Sequence, residues 1–78
     1  MMNNLLSYGF IQTKYNTFSK GEGSISNGRM VTVIIHGQTA RVIVERWYCD
    51  GETEQDERQE WTCWLANIWE YVPEWAMK

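Results

Sequence analysis

Apolar and polar positions alternate most cleanly between Arg29 and Tyr48, where RMVTVIIHGQTARVIVERWY holds two β-rich runs broken by Gly37 and Gln38. A two-residue break containing glycine suits a tight hairpin turn. With those residues as the loop, Ile35 faces Ala40, Val33 faces Val42 and Val31 faces Val44, an unbroken apolar ladder. The opposite face pairs Ile34 with Arg41, Thr32 with Ile43 and Met30 with Glu45. A slip of one residue would scramble this sorting, so the pattern itself fixes the register. Its weak point is Arg29 opposite Arg46, like charges that must diverge or find acids.

Upstream, YGFIQTKYNTF alternates Ile11, Thr13, Tyr15 and Thr17 with Phe10, Gln12, Lys14 and Asn16 and reads as a strand, after a short turn over Leu5 and Leu6 that Asn3 or Asn4 can cap. The glycine-bearing SKGEGSISNG, residues 19 to 28, reads as a loop. Downstream, Asp50-Gly51 turns the chain and Thr53 opens a capping-box-like spacing to Asp56. Trp61, Trp64, Leu65, Ile68 and Val72 then fall on one helical stripe, and Pro73 ends it. The predicted fold is α+β and a single domain, 1-78. It has a three-stranded antiparallel sheet (strands near 8-18, 29-36 and 39-48) packed on one face by a C-terminal amphipathic helix near 54-72.

Composition supports a real core in so short a chain. Five Trp and four Tyr can each bury on the order of 150 to 250 Å², so disulfides are not required. Cys49 and Cys63 are too few for a secreted framework and are read as thiols, although a pair between a strand end and a helix is conceivable. No signal-like start and no membrane-length apolar run is present in the sequence, which predicts a cytoplasmic protein. The net charge of −3 hides an asymmetry: residues 1 to 49 carry +3, and residues 50 to 78 carry −6.

Candidate chemistry is sparse. DGETEQDERQEW places acids at alternate positions as a calcium loop does, but Gln55 and Trp61 stand where glycine and the bidentate glutamate belong. His36, Cys49 and Cys63 lack zinc spacing, and one histidine on a hairpin tip supplies no nucleophile, base and orienting acid. No metal, cofactor or catalytic residue is therefore assigned, and the chain reads as a non-enzyme. GEGSISNG lacks the lysine and following helix of a phosphate loop.

Two surfaces remain. Asp50, Glu52, Glu54, Asp56, Glu57 and Glu60 crowd eleven residues and are answered locally only by Arg58. On the helical reading, Glu54 and Glu57 extend the apolar stripe backward and must project rather than be buried unpaired. The alternative is a nucleic-acid face formed by Lys14, Arg41, Arg46 and Trp47 on the outer side of the sheet, a stacking-plus-charge recipe opposed by the neighbouring acids. In size and charge the chain resembles accessory proteins of phages and mobile elements, which include anti-CRISPR inhibitors that occupy basic nucleic-acid channels. The resemblance implies a non-enzymatic inhibitor whose acidic surface occupies a Lys/Arg-rich site on a protein partner. Pairing of two chains through a sheet edge stays open.

Overall fold

The computed structural model describes the backbone of residues 2–50 and 53–77 and the side chains of residues 4–49 and 55–77. A short helix α1 (Met2–Ser7) leads into β1 (Ile11–Lys14), β2 (Thr17–Gly23), β3 (Asn27–His36), β4 (Thr39–Asp50) and β5 (Thr53–Trp64). Two 3-10 turns follow, Leu65–Glu70 and Glu74–Met77. The five strands form one antiparallel meander in the order β1-β2-β3-β4-β5.

The central hairpin has the register that its pattern demands. Val31 pairs with Val44, Val33 with Val42 and Ile35 with Ala40, and Arg29 stands opposite Arg46. Gly37 has φ of 62° and among the described residues no non-glycine residue has positive φ, the signature of a II′ turn with glycine at its first central position.

Three predicted elements are corrected. The helix near 54-72 does not form: Thr53–Trp64 is a twelve-residue strand paired along its length with β4, and only Leu65–Glu70 coils, as a 3-10 turn. The strand near 8-18 is interrupted at Tyr15 and Asn16 and becomes the hairpin of β1 and β2. The presumed loop 19 to 28 is largely strand, with Ser19 to Gly23 completing β2 and Asn27 opening β3. The sheet therefore has five strands rather than three. The physical reason is the edge of β4, which on the helical reading would leave a row of N–H and C=O groups unpaired over twelve residues. Thr53–Trp64 satisfies that row, and its acids meet the arginines of β4.

One face of the sheet carries the core. Phe18, Val31, Val33, Ala40 and Val42 are buried against Leu5 and Phe10 from the N-terminal segment and Ile68, Val72 and Ala76 from the C-terminal one. The C-terminal segment thus does cover the apolar ladder, in 3-10 form. Trp61 lies against Tyr71 at 5.7 Å between ring centroids, and Tyr8 meets Trp69 edge-on at 5.3 Å. Lys20 ties the two ends together, its Nζ donating to the carbonyls of Tyr8 and Ala76, the latter at 3.0 Å.

Candidate partner-binding surface

The acidic residues lie on a strand, and this changes how they are displayed. In a strand successive side chains alternate between faces, so Glu57 stands on the core side of the sheet and Asp56 and Glu60 on the other. The argument that Glu54 and Glu57 share a helical stripe falls with the helix. Of the six acids, Glu52 lies outside the described residues. Asp50 pairs with Thr53 and Glu54 with Cys49 in the backbone ladder, and their side chains lie outside the described residues.

The remaining three acids differ in how they are neutralised. Glu60 reaches Arg41 at 3.1 Å and Arg58 at 3.6 Å on the outer face. Such exposed pairs contribute little to stability, but they do discharge Glu60. Asp56 and Glu57 are exposed, and among the described residues neither has a cation within ion-pair distance. Gln55 through Glu60 are all exposed, on the outermost strand of the sheet.

The alternative nucleic-acid constellation is not brought together. Arg46 and Trp47 are neighbours in β4 and so point to opposite faces; Arg41 and Trp47 share the outer face with Arg41 engaged by Glu60, and Lys14 sits on the exposed edge strand β1. Trp47 is also occupied structurally: its indole N–H donates to the Ser24 carbonyl at 2.8 Å and its ring covers Gly28.

On the core side, Glu22, Arg29, Arg46 and Glu57 form a row across four strands, two cations flanked by two acids. The like pair at its centre is relieved as electrostatics requires. Arg29 binds Glu22 and lies 4.5 Å over the Trp75 ring, while Arg46 turns toward the Tyr48 ring at 6.0 Å. Trp75 thereby lines one side of an open cleft of about 560 Å³ that Val44 also lines.

The cysteines stay apart. Cys63 pairs with Ala40 and Cys49 with Glu54, at opposite ends of the β4/β5 ribbon, roughly 30 Å apart at about 3.3 Å per residue, far beyond disulfide reach. Burial pushes the Cys63 thiol up, and the Glu70 carboxylate adds to the shift. His36 is exposed beside the hairpin turn, where its carbonyl accepts from the Thr39 hydroxyl at 3.0 Å. Among the described residues no group of three His, Cys, Asp or Glu converges as a metal site would require, and no helix is long and apolar enough to cross a membrane.

Trp64 was the surface feature the sequence misassigned. The helical stripe makes it core, yet it is 62% exposed at the end of β5, beside an apolar hollow of about 450 Å³ lined by Gly37, Gln38, Leu65 and Ala66. Its even position in the strand, opposite in parity to Trp61 and Cys63, was the available signal. Compared with known protein families, curated proteins and solved structures, the chain matches none.

Proposed function

We propose that the protein is a non-enzymatic binding module, an inhibitor of the phage or mobile-element type, that engages a Lys/Arg-rich surface on a protein partner through the acids of β5. The observation that supports this reading is the exposure of Gln55 through Glu60 on the outermost strand, with Asp56 and Glu57 lacking a cation of their own among the described residues. Uncompensated carboxylates on an exposed strand accelerate encounter with basic partners and disfavour acidic ones. The sequence adds Asp50, Glu52 and Glu54 within the six residues before Asp56.

The test is affinity capture from a host lysate with immobilised wild-type protein and with the double variant Asp56→Lys/Glu57→Lys. Wild type is expected to retain proteins with basic surfaces and to release them as salt is raised. The double variant is expected to lose them while its circular dichroism and melting stay near wild type. Equal capture by both proteins, insensitive to salt, rules the reading out.

A further inference from the structure

The two edges of the sheet are unequal. β1 is four residues long with an irregular register between Gln12 and Lys14, whereas β5 is twelve residues long and regularly paired. In an antiparallel sheet the backbone groups of alternate residues point to alternate sides. The Cys49 N–H donates to the Ser26 carbonyl at 2.7 Å, so odd-numbered residues of β4 turn toward β3 and even-numbered ones toward β5. Their β5 partners are odd-numbered, and the Leu65 N–H, donating to the Gln38 carbonyl at 2.8 Å, keeps that parity. The N–H and C=O groups of Asp56, Arg58, Glu60 and Thr62 therefore point away from the sheet, where no further strand of the described residues lies, and all four residues are exposed.

An open edge of this length takes another strand unless its charges forbid it. A second copy of β5, paired antiparallel about Arg58, would set Arg58 against itself and Asp56 against Glu60, like against like. A cationic strand meets no such barrier. β4, which does pair with β5, shows the complementarity on its own side, with Arg41 at 3.1 Å from Glu60 and Arg46 in register with Glu57. At the far end of the edge stands Trp64 with its apolar hollow, an aromatic anchor of the kind that dominates binding interfaces.

The geometry points to strand addition: the free edge of β5 accepts an extended segment of a basic partner as a sixth strand, with a Lys or Arg side chain beside Asp56 and an apolar side chain against Trp64. This rests on the reading that the partner is basic and adds the mode of contact. Main-chain hydrogen bonds supply affinity in such complexes, and alternate side chains supply specificity.

The probe is a synthetic peptide alternating lysine with threonine and closing on two leucines, titrated into the full chain with amide exchange followed by NMR. Exchange at Asp56, Arg58, Glu60 and Thr62 is expected to slow on binding, while Gln55 and Gln59, already paired to β4, change little. Arg58→Pro removes one outward N–H and a positive charge together. Strand addition predicts at least ~10-fold weaker peptide binding by this variant. Arg58→Ala, which removes the same positive charge and leaves the N–H intact, is expected to bind as well as wild type or better. If Arg58→Pro binds like Arg58→Ala, or the four amides stay unprotected, or wild type ignores the peptide, strand addition is wrong. The partner reading is then decided separately by the Asp56→Lys/Glu57→Lys capture. Sedimentation of the free chain as a dimer with those four amides already protected would give the edge to a second copy and overturn the proposal.

Discussion

Gly28 shows how tightly single positions are specified. It is buried under the Trp47 ring, and a Cβ placed there would stand 2.5 Å from Trp47 Cζ2, with the Glu22 carbonyl at 3.0 Å on the other side. Neither neighbour yields easily, since Trp47 is held by its bond to Ser24 and Glu22 belongs to the ladder with Arg29. Gly28→Ala should cost about 2 kcal/mol through overpacking and lower the melting temperature by about 10 °C in a chain of this size, measured by calorimetry. The apolar residues of the C-terminal half separate by the same kind of local accounting. Ile68 is fully buried and Trp64 is mostly exposed, so Ile68→Ala should lose about 2 to 4 kcal/mol and Trp64→Ala under about 1 kcal/mol in urea titrations. A helical stripe would have made both substitutions costly, so a large loss at Trp64 would contradict the strand.

At the scale of elements, β5 explains most of the difference between pattern and structure. Its core-side residues Gln55, Glu57 and Gln59 lie beyond the part of the sheet that the C-terminal segment covers, so neither face of this stretch needs to be apolar and the period-two signal is absent. What remained readable was the complementarity of charges in the register that sets Asp50 opposite Thr53. Glu45 pairs with Arg58, Arg46 with Glu57, and Arg41 reaches Glu60. Matching those charges across the two segments would have predicted the strand without a hydrophobic pattern. The parity of β5 makes a further prediction. Gln59 directs its N–H at Val44 on β4, whereas Arg58 directs its own outward, so Gln59→Pro should destabilise by at least about 2 kcal/mol while Arg58→Pro stays within about 1 kcal/mol of wild type. Denaturant midpoints of the two variants compare them directly, and equal losses would mean that the assigned parity is wrong.

The whole molecule is elongated, 42 × 22 × 22 Å, because the strands of the meander outrun the segments that cover them. α1 and the two 3-10 turns enclose Phe18, Val33 and Val42, and beyond Trp75 the ribbon carries the charged row and the acids. Lys20 joins the covering segments from both chain ends to the sheet through the Tyr8 and Ala76 carbonyls. Lys20→Met keeps much of the stem's packing and removes these bonds. It should cost about 1 to 2 kcal/mol and speed amide exchange in the first ten residues and the last five together, rather than in either alone. The packed core thus sits at one end of the sheet and the charged row with Asp56 and Glu57 toward the other, which lets the charges of that distal stretch vary at little cost to the core.

The sequence by itself determined the hairpin of β3 and β4 residue by residue. Its turn chemistry is local, and the two faces differ so much in polarity that only one register keeps Val31, Val33, Val42 and Val44 together. It also determined that the C-terminal apolar residues close over that ladder, since burial of Ile68 and Val72 follows from hydrophobicity whether the backbone coils as α or 3-10. Only the tertiary structure decided the state of residues 53 to 64. A polar segment with two tryptophans satisfies its own hydrogen bonds as a helix or another strand's as an edge, and the deciding quantity is the unpaired row on β4, a long-range term that no local window contains. That choice placed Asp56 and Glu57 on opposite faces, exposed Trp64 and opened the strand edge on which the proposed recognition rests.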